Sequence, residues 1–365
     1  MPLLRAVAEE ISQEQLVSGV IEEIIDNEAL YALLPFTQVN GKAYVYNRET
    51  KLGDSTFLAQ NSEITEQASE FKSITTHLKI LIGDVDVDKF LDTTMSDVVS
   101  QKAIQLAMKA KGMGRRFKDA LVNGGIVRPN PNTGTNLTAT EVHFEFAGIR
   151  KIWKDGLAST SFDWPTPDSL LSSGHPDKTK PSSAGWSDFW KPQVVMMSAD
   201  NTDVTVAEAK VISTSLTYEK LDELVDAIPD NGVDVLMMRK DTYRAYKALL
   251  RASGGITPDQ IMISNFGMVP AHDGVPIIIN DYLPTLEGID AKASSTKKNF
   301  TEIYALRLNE VDGLHGLYGG SNAGIVVEDI GTVQNKDATR TRMKWYCGLA
   351  LKSTKSMAIL RGVAV

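Results

Sequence analysis

Between Ser96 and Val122, apolar side chains return at alternating intervals of four and three: Val99, Ala103, Leu106, Ala110, Met113, Phe117 and Ala120. That spacing predicts an α-helix with one continuous apolar stripe, whose core positions are Val99, Leu106, Met113 and Phe117. Ser96 suits the N-cap and Asp97 the first turn. Asn123-Gly124-Gly125 supplies the stop. At about 1.5 Å per residue such a helix spans roughly 40 Å. Gly112 and Gly114 lie inside it and cost stability unless they permit a bend or close packing.

The segments around this helix have other periods. Ser12-Gln13-Glu14-Gln15 has the form of a capping box, and Leu16, Val20, Ile21, Ile24 and Ile25 follow at helical spacing up to Asn27. Residues 35–50 alternate like a strand, with Ala43, Val45 and Asn47 against Tyr44, Tyr46 and Arg48. A polar stretch with a Leu52-Gly53-Asp54 turn signal follows. Strand character then returns from Phe71 to Val87, with Ile80, Leu81 and Ile82 apolar together. Two long strands around a polar tip predict an extended hairpin, which is marginal alone and must lie on something.

Residues 126–200 are rich in Pro, Gly and Ser, yet hold Trp153, Trp164, Trp186 and Trp190. Exposed indole is costly, so order is expected there. From residue 204 the pattern turns α/β-like. The helices are expected at 218–228 and 241–252, strands at 233–239 and 300–308, and a turn with a strand within 267–284. Residues 325–362 carry further strands.

Charge narrows the function. The chain of 365 residues has 38 basic and 46 acidic side chains, a net charge of −8. A dedicated nucleic-acid binder usually shows a basic footprint instead. Residues 1–100 hold 17 acidic and 7 basic side chains, whereas 101–120 hold six basic side chains opposed only by Asp119. Two readings stay open for that helix: a solvated Lys-rich face, or a surface on which another subunit docks acidic residues. The single cysteine, Cys347, excludes disulfide frameworks and reads as a core thiol in a reducing compartment.

Local catalytic signatures are missing. Gly112-x-Gly114 lacks the third glycine of a dinucleotide loop and sits within a helix. Asp84, Asp86 and Asp88 resemble the start of a calcium loop, but Lys89 and Met95 stand where Gly and Glu are needed. Alternating Asp that keeps a strand edge soluble is the better reading. The five histidines show no pairing at metal-ligand spacing, and no Gly-x-Ser-x-Gly elbow exists. The chain is not expected to be an enzyme or to carry a cofactor or metal.

The order of elements resembles the Hong Kong 97-type fold of tailed-phage major capsid proteins. LYALLPFTQVNGKAYVYNRE (30–49) is similar to the arm leading into that family's E-loop. NSEITEQASEFKSITTHLKILIGDVDVDKFL (61–91) is similar to the loop's return strand. DVVSQKAIQLAMKAKGMGRRFKDALVNGG (97–125) resembles the spine helix, FEFAGIRKI (144–152) the stretch after it, and GMVPAHDGVPIIINDYLP (267–284) the turn and strand beyond. Residues 325–363 resemble the closing strands.

The resemblance implies an α+β chain with an N-terminal arm (1–40), an E-loop (41–78), a P-domain (79–200 and 325–365) and an α/β A-domain (201–324). It implies self-assembly of hexamers and pentamers into an icosahedral shell around double-stranded DNA, contacted non-specifically. The shell would form in the host cytoplasm, belong to the virion, and involve no membrane. A separate scaffolding protein, a portal and a decoration protein are the other expected partners, with little N-terminal trimming. An encapsulin shell of the same fold, enclosing cargo protein, is the alternative; an α/β enzyme built on 204–324 is the alternative of another class. The candidate assembly residues are Lys42, Arg48, Glu49, Lys51, Asp54, Glu63 and Glu66 on the ribbon, and Lys102, Lys109, Arg115 and Arg116 on the helix. Some members of the family join an E-loop lysine to a neighbour's asparagine with a carboxylate as proton acceptor. Lys42 and Lys51 could supply the lysine, but residues 338–365 contain no Asn, Asp or Glu, and the nearest are Asn335 and Asp337.

Overall fold

The computed structural model describes residues 30, 33–51, 57–58, 60, 63, 66, 68–89, 101–157, 193–198, 211–229, 232–254, 259–263, 267–290, 293–320, 324–334 and 336–364. The helix expected at 12–27, the start of the long helix with Val99, and Trp164, Trp186 and Trp190 lie outside these residues.

The two ribbon strands are β2 (Ala43–Lys51) and β3 (Glu70–His77), a two-stranded sheet of their own. After Leu78 the chain continues as β4 (Lys79–Asp88) into a five-stranded sheet. The other members are β1 (Phe36–Val39), β13 (Leu314–Gly319), β14 (Val326–Thr332) and β15 (Ala338–Leu351). β4 runs antiparallel to β15 from Lys79 opposite Cys347 to Asp88 opposite Ala338.

The long helix α1 (Gln101–Asn123) lies on this sheet. Ala103, Leu106, Ala110, Met113, Phe117 and Ala120 are all buried, as the four-three spacing requires. They share a core with Val85 and Val87 of β4 and with Met343, Trp345 and Cys347 of β15. Of the interior glycines, Gly114 is buried, and the Gly112 carbonyl accepts from Asn132 Nδ2 at 2.9 Å, an ordinary neighbour that leaves room for a Cβ. Two short helices follow, α2 (Ala139–His143), opened by a Thr138–Glu141 capping box, and α3 (Ile149–Leu157). Between α1 and α3 the backbones of Gly124 and Gly148 touch, with Gly148 N–H donating to Gly124 O at 3.0 Å. A Cβ on Gly148 would stand 2.5 Å from Ala120 O, so only glycine fits.

The larger sheet has nine strands. Its main path runs β5 (Gln193–Met196), β16 (Met357–Ala364), β12 (Ala293–Leu306), β7 (Val235–Met238), β10 (Val275–Ile279), β9 (Gly267–His272) and β8 (Asp259–Ile263). β11 (Leu286–Asp290) and β6 (Ile212–Ser213) extend it from β12. The Asp273-Gly274 pair turns β9 into β10 with φ of 47° and 82°, the tight hairpin that Asp-Gly favours. Every residue of β7 is buried because the sheet is covered on both faces. Leu236 and Met238 face helices α4 (Tyr218–Asp226) and α5 (Lys240–Ala252), while Val235 and Met237 join the core beneath the long helix.

Sheet membership does not follow the sequence boundaries at 200 and 325. β5 from the loop-rich stretch and the terminal strand β16 lie in the nine-stranded sheet, whereas β13 lies in the five-stranded one. A strand buried on both faces has the same apolar run in either sheet, so hydropathy alone does not place it.

Candidate assembly surfaces

The described contacts that fix the ribbon to the body of the subunit lie at its root. Eight register pairs run from Ala43 opposite His77 to Lys51 opposite Glu70, with a bulge between Glu49 and Lys51. At about 3.4 Å per residue the ladder is roughly 27 Å long. At its root, Tyr46 Oη donates to the Leu351 carbonyl at 2.8 Å. The Tyr44 ring meets His315 edge-on at 5.6 Å and lies under Lys352. These contacts turn the tyrosine face inward and leave Val45 and Phe71 exposed on the other. At the tip Phe57 is fully exposed and Leu58 half-exposed.

His315 gives this root a pH dependence. The ring is buried, its Nδ1–H donates to Gly313 O at 3.3 Å, and burial is the main cause holding its pKa below the ordinary 6.5. The unfolded chain therefore takes up a proton near pH 6.5 that the folded chain refuses. The stability contribution is complete above that pH and is lost as pH falls toward the lowered value. Denaturation midpoints between about pH 7.5 and pH 5 should drop more steeply for the wild type than for His315→Gln.

The candidate residues are placed as follows. Lys42, Glu63 and Glu66 are exposed. Arg48 and Glu49 stand opposite Lys72 and Phe71 in the ladder. The side chains of Arg48, Glu49 and Lys51, and the whole of Asp54, lie outside the described residues. On α1, Lys109 and Arg115 are exposed, and the Lys109 stem crosses Gly83 of β4. Lys102 and Arg116 turn inward: Lys102 Nζ donates to Asp329 at 2.8 Å, and Arg116 reaches Glu145 at 2.6 Å.

The Asp84 and Asp86 reading changes. They are not merely solubilising charges on an edge. Arg342 grips Asp84 with two bonds of 2.8 Å, and Arg340 grips Asp86 with bonds of 2.6 and 2.7 Å. The cross-strand register puts each pair face to face, and the guanidinium groups hold both carboxyls below the usual carboxylate range.

Sequence reading missed a chain of buried polar groups joining the long helix and the segment after it to the nine-stranded sheet. Arg128 bonds Asp119 at 2.6 Å and Glu145 at 2.8 Å. Asn123 donates to Asp119 and accepts from Arg150 at 3.1 Å. Arg150 and Arg361 then flank Glu302 at 3.5 and 3.3 Å, and Tyr304 Oη donates to it at 2.7 Å. Burial pushes the Asp119 carboxyl up against the pull of Arg128. The one sequence signal was Asp119 itself, a lone acid among six bases.

Two other features have chemical character. His272 bridges Asp222 at 3.1 Å and Tyr246 Oη at 3.2 Å. Burial pushes the Tyr246 phenol up to about 12, so it stays protonated and ties α5 to β9. Second, a half-open cavity of about 260 Å³ lies between α1, the start of β4 and the α2–α3 loop. Its walls include Ile80, Leu81, Phe117, Phe144, Phe146 and Cys347. Cys347 is buried and its thiol is pushed up by burial, as an inert core thiol should be. Among the described residues no His, Cys, Asp and Glu cluster could hold a metal, and no helix is long and apolar enough to cross a membrane.

No family model matches the chain, and no curated protein does. Solved structures do match. The subunit of the holo-SrpI encapsulin complex from Synechococcus elongatus PCC 7942 is similar with a TM-score of 0.55 and 18% identity, over 100% of this chain and 90% of that one. The capsid of the empty GTA particle gives 0.56 and 13%, over 100% and 92%. The capsid of Cyanophage A-1(L) gives 0.57 and 11%, over 93% of each chain. Identities this low establish a shared architecture: the chain has the α+β Hong Kong 97-type fold common to phage capsids and encapsulins.

Proposed function

We propose that this chain is the major capsid protein of a tailed phage. It self-assembles, as hexamers and pentamers, into an icosahedral shell around double-stranded DNA. The observation that carries the reading is the ribbon: it leaves its own core at Leu78 and ends in an exposed Phe57 and Leu58, on a fold otherwise found in shell subunits. A two-stranded ladder with an uncovered apolar tip gains stability only when another surface covers it. In this reading the ribbon is the E-loop, the five-stranded sheet with α1 is the body of the P-domain, and the nine-stranded sheet with α4 and α5 is the A-domain. Many moderate contacts in closed symmetry then hold the shell through multivalency. DNA is contacted non-specifically, in keeping with the net charge of −8. Assembly in the host cytoplasm would involve a scaffolding protein, a portal and a decoration protein.

The encapsulin reading is favoured by the SrpI likeness over the whole chain. One experiment separates the readings. The chain is expressed, sedimented and imaged, and particles recovered from infected cells are assayed for nucleic acid. Shells that package DNA support the capsid reading, protein-filled shells the encapsulin reading, and a monomer at high concentration neither. Deleting residues 50–66 should leave a folded subunit that forms no heat-stable shell; normal particles from the deletion would remove the ribbon from the mechanism.

Cross-links are not expected. Lys42 is exposed, Asp337 is an exposed partner of Lys89 at 3.2 Å, and Asn335 lies outside the described residues. An isopeptide bond needs a desolvated lysine with reacting atoms about 3–3.5 Å apart. Mature particles boiled in detergent should run as one band near 39.9 kDa. A ladder surviving boiling and reductant would contradict this and make Asn335 the first residue to mutate.

A further inference from the structure

We infer that the half-open cavity beside Phe117 is a binding site for a small amphipathic acid, a monocarboxylate with an aliphatic or aromatic tail. The inference is independent of the shell reading, because the whole site lies within one subunit.

The apolar part of the site sets the size of the tail. Phe117, Ala120, Phe146 and Cys347 line the cavity and are buried. Its volume is about 260 Å³. A dry apolar cavity of about 150 Å³ holds benzene, which is about 25 Å³ per carbon. By that scale this cavity takes a molecule of roughly ten non-hydrogen atoms. Ile80 and Phe144 also line it, and each is 65% exposed. A tail that covers these two side chains removes their apolar surface from water.

Arg116 sets the chemistry of the head. Its Nη2 reaches Glu145 at 2.6 Å, while its Nη1 is buried and meets no acceptor among the described residues. A buried donor without an acceptor is costly, and a ligand that supplies the acceptor recovers that cost. Lys79 puts a second cation in the lining. Its Nζ donates to His143 O at 3.1 Å, which uses one of its three hydrogens.

The two acids of the lining are already engaged. Glu145 accepts from Arg116, from Arg128 at 2.8 and 3.3 Å, and from the Gly125 N–H at 3.3 Å. Glu141 accepts from the Thr138 N–H and hydroxyl at 2.8 and 2.9 Å, where it closes the cap of α2. Donors are therefore in surplus around an apolar hollow. The group that matches them is an anion with two accepting oxygens, and charge-assisted bonds to a guanidinium are the strong ones.

The test titrates the purified full chain with octanoate, a probe of the size the cavity takes, and follows the heat released. One site per chain is expected, with Kd of about 1 mM or tighter. Octanamide keeps the tail and loses the charge, and should bind at least about tenfold more weakly. Butyrate keeps the charge and loses half the carbons, and should also bind at least about tenfold more weakly. Arg116→Gln should reduce octanoate to the affinity of octanamide and leave octanamide within about twofold of its parent value. Phe144→Ala, a change at an exposed side chain that should spare the fold, should weaken both ligands by the same factor of about four. If Arg116→Gln does not fold, the ligand comparison and Phe144→Ala decide. No saturable binding of octanoate, or octanamide bound as tightly as octanoate, would overturn the site. So would an octanoate affinity that Phe144→Ala leaves unchanged, since the acid would then bind elsewhere on the chain.

Discussion

Phe117→Asp is expected to leave no soluble, folded subunit, whereas Lys109→Glu on the same helix is expected to fold and melt like the parent. Phe117 is 2% exposed, its ring centroid 4.2 Å from Trp345 and 5.8 Å from Phe146. Removing a buried Phe costs about 3–5 kcal/mol. A carboxylate there adds the desolvation of a charge, several kcal/mol more. Together these approach the whole stability of a domain, about 5–15 kcal/mol. Lys109 is exposed, with only its stem across Gly83, so its replacement falls within roughly 0.5 kcal/mol, the usual range for surface changes. Its effect should appear in the salt dependence of assembly. Soluble yield and thermal melts followed by circular dichroism check both. A soluble Phe117→Asp chain with the parent's melting temperature would mean that the helix faces are assigned wrongly.

Phe117 was legible because the stripe it belongs to repeats within a few residues of itself. The same holds for the Tyr44–Tyr46 alternation and the Asp273-Gly274 turn: each is a local pattern read by a local rule. Arg116 was not legible as an inward residue. It sits beside Phe117 at the margin of the stripe, and its partner Glu145 lies 29 residues on, in the loop closed by the Gly124–Gly148 contact that folds α3 back against α1. Arg340 and Arg342 find their carboxylates across more than 250 residues of sequence. No periodicity carries such pairings, since any of 38 bases could meet any of 46 acids. Placing β16 fails for a related reason: an apolar strand states that it is buried, and only the fold decides between which neighbours.

Those long-range pairings matter most at Glu302, where Glu302→Ala is expected to cost on the order of 3–5 kcal/mol. The carboxylate is 2% exposed and stands between the guanidinium groups of Arg150 and Arg361, which are themselves buried. Arg150 comes from α3, while Glu302 and Arg361 come from the neighbouring strands β12 and β16. The ion pairs thus tie the segment after the long helix to the nine-stranded sheet. Arg361 also lies over the rings of Trp153 and Phe300 at 5.3 and 5.9 Å, where its charge meets little water. Removing the acid leaves two cations in one desolvated site and takes the acceptor from Tyr304 Oη. Glu302→Gln keeps that acceptor and should lose less. Replacing all three charged residues by apolar side chains of similar volume should regain much of the loss, because the penalty lies in burying two like charges together and not in missing polarity. Urea unfolding of the disassembled subunit measures each variant: the midpoint should fall at unchanged slope for Glu302→Ala and recover in the triple variant. A Glu302→Ala midpoint equal to the parent's would show that other groups hold Arg150 and Arg361, and that these ion pairs do not fasten the segment after the long helix to the nine-stranded sheet.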